Sequence, residues 1–299
     1  MPNANCLLAA WPLAAILLAL NSAPARSELA PPNAAGVSMG QLHYFVDDMA
    51  AHRAFWVALG GHAMTVDADV AVNMPDVAVQ TPDVAVQMPG VVVLIRERAA
   101  DTVPATIDHV AFRVASLDAI EARGFTLERL ETFPGIALIR TPGGDRVELF
   151  EEGMATNVGF APDVPDAVAE RHNRPLVGSL ASHHLHFYLP EAEVEAARDW
   201  YVLHFGAVPG QRWRYAAADL PGMNLNFSAA DTARQPTRGR TLDHIGFEVA
   251  DLEAFCRELE GRGLVFEQPF RRTGPEFALA VLTDPWGTTI ELTQGLRRR

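Results

Sequence analysis

Thr106 opens the phrase TIDHVAFRVASLDAI, and Thr241, 135 positions later, opens TLDHIGFEVADLEAF. One pattern written twice at such a distance marks the duplication of a whole folding unit. Each copy alternates apolar and polar residues and then shifts to helical spacing, so each reads as a strand running into a helix. The match extends on both sides. QLHYFVDDMAAHRAFWVALGG (41–61) is similar to HLHFYLPEAEVEAARDWYVLHFG (184–206), and TPGGDRVELFEE (141–152) to TDPWGTTIELTQ (283–294). Within each half the strand-helix unit recurs once more. The expected fold class is α+β, with four βαβββ units in two pairs. The first half spans 38–152 and the second 181–296. The Pro-, Gly- and polar-rich stretch 153–180 reads as the linker between them.

One segment breaks the symmetry. DVAVNMPDVAVQTPDVAVQMP (69–89) is three copies of a seven-residue word. Gly61 to Pro89 spans 28 positions and the matching Gly206 to Pro221 spans 15, an excess of 13, close to two words. Each word alternates over four residues and ends on a proline, which removes a ladder donor. It is expected to be an expanded hairpin or loop at a sheet edge, without chemistry of its own.

The N-terminus reads as an address. LLAAWPLAAILLAL (7–20) is fourteen apolar residues, short of the roughly 20 that a membrane-spanning helix needs. Ala23 and Ala25 then form a small-x-small cleavage pattern. Residues 1–25 are therefore expected to be a signal peptide cleaved after Ala25. The mature protein would be exported, periplasmic or secreted, with no stable membrane association. Cleavage removes Cys6 and leaves Cys256, so no internal disulfide forms. Cys256 lies at helical spacing among apolar residues and reads as a packed side chain. The net charge of −13 speaks against a nucleic-acid partner. All 24 basic residues are arginine, which excludes Schiff-base chemistry and a phosphate-loop lysine.

The paired strand-helix units, the Asp-His strands and the P-x-G-x-x-[IV]-E endings together resemble the vicinal oxygen chelate superfamily. That superfamily includes glyoxalase I, methylmalonyl-CoA epimerase, bleomycin- and fosfomycin-resistance proteins and extradiol dioxygenases. The resemblance covers about residues 40–295. It implies that two units close into a half-open barrel around a divalent metal. The ligands would come from the first strand of one unit and the first and last strands of the next. In the second half these positions are His184, His244 and Glu291, a two-histidine, one-carboxylate set that leaves coordination positions open. Imidazole and carboxylate without thiolate favour Fe(II) or Mn(II), and admit Zn(II), Co(II) or Ni(II). In the first half the matching residues are Gln41, His109 and Glu148, with His43 on the strand face of Gln41. A glutamine in place of histidine implies a vestigial, non-catalytic barrel, with metal in both barrels as the alternative, since some relatives ligate through a glutamine here.

The same resemblance frames the chemistry. Glyoxalase and epimerase reactions need a carboxylate base beside the metal. The strand that supplies it in those relatives offers only Asn224 and Asn226 in the second half, and VVVLI in the first. Ring-cleaving relatives use a histidine and a tyrosine near the metal. His186 and Tyr188, which alternation places on the face of His184, and Tyr215 could take those roles. Arg271 and Arg272 could meet an anionic substrate. The expected function is a metal-dependent, dioxygenase-type oxidoreductase acting on a small oxygenated molecule. A glyoxalase-type lyase or isomerase and a metal-free ligand-sequestering protein are the alternatives. A small molecule is the expected partner, and the protein is expected to be a monomer or homodimer.

Overall fold

The computed structural model describes residues 29–64, 84–101, 103–153 and 175–296. The expected signal peptide, the first two repeat words and most of the linker lie outside the described residues. Four βαβββ units follow one another along the chain. The first comprises β1 (Val37–Val46), α1 (Met49–Leu59), β2 (His62–Met64), β3 (Val84–Met88) and β4 (Val91–Glu97). The second comprises β5 (Ile107–Val114), α2 (Leu117–Glu121), β6 (Glu128–Leu130), β7 (Phe133–Arg140) and β8 (Arg146–Glu151). The third holds β9 (Leu180–Leu189), α3 (Val194–Phe205), β10 (Val208–Arg212), β11 (Tyr215–Leu220) and β12 (Met223–Ala229). The fourth holds β13 (Leu242–Val249), α4 (Leu252–Gly261), β14 (Phe266–Arg272), β15 (Ala278–Thr283) and β16 (Thr289–Gln294). Among the described residues no helix is long and apolar enough to cross a membrane.

The units do not pair within the halves. One eight-stranded sheet runs β14-β15-β16-β13-β1-β4-β3-β2, joining the fourth unit to the first. The other runs β10-β11-β12-β9-β5-β8-β7-β6, joining the third to the second. The expectation of one barrel per half therefore gives way to an outer-pair barrel (units one and four) and an inner-pair barrel (units two and three). The seams are antiparallel ladders, β1 against β13 and β5 against β9. The sequence could not tell these pairings apart, because every unit opens with an equivalent strand. Periodicity fixes which face a strand buries, not which equivalent strand lies beside it.

Helix starts follow ordinary capping chemistry. Asp48 accepts from the Ala51 N–H at 2.9 Å and Asp251 from the Ala254 N–H at 3.1 Å. The helices then bury apolar stripes between the sheets. Trp56 of α1 packs 6.1 Å from Phe112 of β5, and Phe205 of α3 lies 4.9 Å from Phe247 of β13. Each of these helices thus touches the barrel its own unit does not help to build, and one apolar core joins both sheets. The third repeat word becomes β3, held between β2 and β4. Cys256 is buried on α4.

Candidate metal centres

In the inner-pair barrel, alternation along β9 turns His184 and His186 to the same face. Across the seam His109 of β5 stands opposite His186, and Ala111 opposite His184. Strand β8 runs beside β5 and sets Glu148 level with Ala111. Three ligand atoms converge there. His184 Nε2 lies 3.3 Å from His109 Nε2, and Glu148 Oε2 lies 3.3 Å from His109 Nε2 and 3.4 Å from His184 Nε2. Ligand atoms about 2.1 Å from a shared ion stand about 3.0 Å apart at octahedral angles and about 3.4 Å at tetrahedral ones. The triangle fits that range.

Burial and neighbours set the charge of these groups. Burial opposes a proton on His109, but Glu148 and Asp108 outweigh it and raise the imidazole to about 9. His184 and His186 are held well below the ordinary histidine value by burial and then by neighbouring histidines, so both are neutral lone-pair donors at pH 7. Around them, His109 Nδ1 lies 2.8 Å from Asp108 Oδ2 and His184 Nδ1 lies 2.7 Å from His183 Nδ1. His183 in turn meets the buried Arg212. His186 Nε2 lies 2.7 Å from Ser228 Oγ, and its ring packs 4.8 Å from Tyr188, 4.6 Å from Tyr215 and 4.9 Å from His109. On β12, Asn224 and Asn226 are level with His184 and His186. Asn224 Nδ2 donates to Asn226 Oδ1 at 2.5 Å.

The outer-pair barrel builds a related cluster. His43 Nδ1 and Glu291 Oε2 each lie 2.9 Å from His244 Nε2, and His244 Nδ1 lies 2.7 Å from Asp243 Oδ1. Gln41 shares this barrel. Its seam partner is Gly246, where a Cβ would lie 2.4 Å from Gln41 Cγ, so only glycine leaves room for the amide. Gln41, His43, His244 and Glu291 are all fully buried. Among the described residues, both polar atoms of Gln41, His43 Nε2 and Glu291 Oε1 have no hydrogen-bond partner. Four orphaned polar atoms in one buried cluster are costly unless a ligand satisfies them.

The expected ligand sets are therefore regrouped. His184 does not meet His244 and Glu291, nor does Gln41 meet His109 and Glu148. Each first-strand residue has exchanged partners, giving His184 with His109 and Glu148, and Gln41 with His244 and Glu291. The two-histidine, one-carboxylate set is thus completed by residues assigned from sequence to a vestigial site. His186, Tyr188, Tyr215, Asn224 and Asn226 do gather in the barrel that holds His184. Arg271 and Arg272 lie on β14, at the edge of the other sheet. Sequence reasoning missed His43 as the direct neighbour of His244, and the supporting Asp108 and Asp243. The repeated Asp-His dipeptide was the signal for the aspartates.

Residues 169–292 match the family model of the Glyoxalase/Bleomycin resistance protein/Dioxygenase superfamily. The chain has the vicinal oxygen chelate fold. Among solved structures, maize glyoxalase I is similar at 15% identity and a TM-score of 0.58, covering 88% of this chain and 94% of its own. A provisionally named dioxygenase of Bacillus subtilis is similar at 14% identity and a TM-score of 0.57, covering 89% and 86%. Identities this low establish the fold alone. No curated protein matches significantly. The chain presents two clusters whose ligand atoms could hold a metal ion, His109 with His184 and His186, and His43 with His244 and Glu291. They differ in access. The outer-pair cluster is sealed, whereas Glu148 is 15% exposed and Tyr188, Tyr215 and Ser228 line a cavity of about 580 Å³ at the inner-pair rim. Closed sites suit structural metals, and catalytic ones need an open position.

Proposed function

We propose that this protein is a divalent-metal-dependent enzyme whose working site is the inner-pair barrel, and that it carries out dioxygenase-type oxidation of a small oxygenated molecule. The observation that carries the reading is the convergence of His109, Glu148 and His184 next to the buried His186, which packs on Tyr188 and Tyr215 of the adjoining cavity. These three residues would hold the ion, and Fe(II) or Mn(II) bound there would supply redox and Lewis-acid chemistry.

The remaining roles belong to the chain itself. His186 is neutral and buried beside the ligand cluster, so its imidazole can accept a hydrogen bond from a substrate hydroxyl. Tyr188 is held above the ordinary phenol value by burial and by the nearby Asp108, which keeps it a proton donor at neutral pH. Asn224 and Asn226 offer amides where a glyoxalase-type reaction needs a second carboxylate. That leaves Glu148 as the one carboxylate of the ligand cluster, which favours oxidation over isomerisation. Export through cleavage after Ala25 belongs to the same proposal.

The test is oxygen uptake by purified protein loaded with Fe(II) or Mn(II) and offered a panel of catechols, beside a hemithioacetal isomerisation assay. Uptake that disappears in His109→Ala and His184→Ala is expected. Isomerisation without oxygen uptake would transfer the site to glyoxalase-type chemistry, and neither activity in metal-loaded protein would leave ligand sequestration.

A further inference from the structure

A second cavity lies where the two connections between the sheets meet. The segment joining β4 to β5 runs beside the segment joining β12 to β13, bridged at Asp101–Arg240 and Ala105–Gln235. The Asp101 N–H donates to the Gly239 carbonyl and the Thr106 N–H to that of Gln235, both at 2.9 Å. Together with the β7–β8 turn these segments enclose about 540 Å³. Its charged lining is Arg140, Arg146, Arg234 and Arg240 against Asp101, Asp108 and Asp145. Arg140 pairs with Glu128 at 3.0 Å, which leaves Arg146, Arg234 and Arg240 facing Asp101, Asp108 and Asp145.

The carboxyls do not satisfy the guanidiniums. Asp108 Oδ1 serves both Arg146 and Arg234, the latter at 3.0 Å, while Asp108 Oδ2 is occupied by His109. Among the described residues Arg240 pairs only with Asp101, at 2.6 Å, and that aspartate is 58% exposed. Asp145 turns to the Thr141 hydroxyl at 3.0 Å instead of to an arginine. Meanwhile Arg234 Nε and Arg240 Nε are buried without a hydrogen-bond partner among the described residues. Unsatisfied buried donors of this kind mark a missing acceptor. A planar fork of N–H groups suits the paired oxygens of a carboxylate or phosphate. The cavity also adjoins the inner-pair site, because the Arg234 guanidinium lies 4.8 Å over the ring of Tyr188, which packs on His186.

We propose that this junction cavity is an anion subsite. It takes a carboxylate or phosphate between Arg146, Arg234 and Arg240, and the group it holds is the charged end of the molecule whose other end lies at His186. The second clause rests on the inner-pair barrel being the working site; the first does not.

Calorimetric titration with inorganic phosphate, and with the matched pair 3,4-dihydroxybenzoate and catechol, tests both clauses at constant ionic strength. Phosphate should bind the unaltered protein and bind Arg240→Gln about tenfold more weakly. Asp101→Asn, which removes the competing carboxylate from an exposed position, should bind phosphate more tightly. Phosphate should also weaken 3,4-dihydroxybenzoate and leave catechol unaffected. Unchanged phosphate affinity in both variants, with melting temperatures retained, would overturn the subsite. Phosphate that binds but leaves 3,4-dihydroxybenzoate unaffected would overturn its assignment to the substrate. Metal content measured on the same samples separates this from the proposed function. Protein that holds no ion in the inner-pair barrel yet binds phosphate through Arg240 would sink the enzyme reading and leave the subsite standing.

Discussion

His109 and His244 each follow an aspartate that faces the outer ring nitrogen, at 2.8 Å and 2.7 Å. Burial pushes against an ionised Asp243, but the hydrogen bond from His244 outweighs it and holds the carboxyl below its ordinary value; Asp108 is held low in the same way by His109 and two arginines. Ionised carboxylates only accept, so each imidazole donates from Nδ1, and an ion that displaces the Nε2 proton would meet that nitrogen's lone pair inside the barrel. Replacing Asp108 by Asn should therefore weaken metal binding about 10- to 100-fold in the inner-pair barrel alone, and Asp243→Asn should do so in the outer-pair barrel alone. Titration with a competing chelator reads this directly. Equal loss at both sites from either change would refute separate support. The regrouping adds a sharper expectation. His184→Ala and His244→Ala, one ligand set by sequence, should remove different ions, and the double variant should remove both. A separate residue-scale outcome concerns Cys256. Burial pushes its thiol up to about 12, so a thiol reagent should react slowly with the native protein and rapidly in denaturant. Fast native labelling would mean the α4 packing is looser than described.

Single elements show where pattern reading succeeds and where it stops. Alternation in HLHFYL and in the Asp-His strands sets His184 and His186, His109 and His244 on the inward faces, because a strand has only two faces. Gly246 is silent as sequence, since its role depends on Gln41 lying across the seam, 205 positions away in the chain. Gly246→Ala should push the Gln41 side chain aside and lower metal occupancy of the outer-pair barrel, with the inner-pair ion retained. Metal analysis of the variant beside His244→Ala decides whether the two lose the same ion. The heptad words make an element-scale prediction too. The last word already supplies β3, so deleting residues 69–82 should preserve the β2–β3–β4 ladder: 5 of the 19 residues between Met64 and Val84 remain, about two halvings, and each halving changes closure entropy by only about 0.6 kcal/mol. A melting temperature within a few degrees of the parent is expected. Collapse of folding would show that the earlier words carry structure.

At the scale of the whole molecule, the four-unit architecture was legible because duplication preserves strand-helix order. The choice of partners was not, because it depends on how the connecting segments are routed. Those routes make the two halves interdependent. Seven residue pairs are registered along β1–β13 and seven along β5–β9, and every one joins the first half to the second. Each candidate site likewise takes residues from both halves. Cutting the chain within 154–174 should therefore leave a nicked protein whose halves migrate together and keep both ions. Once separated in denaturant, neither half alone should bind metal, since the first would hold Gln41, His43, His109 and Glu148 split between two incomplete barrels. Remixing the halves should restore both sites. Size-exclusion chromatography with metal analysis before and after the cut provides the measurement. Halves that part without denaturant, each carrying an ion, would mean that each closes a barrel of its own and that the crossed pairing is wrong.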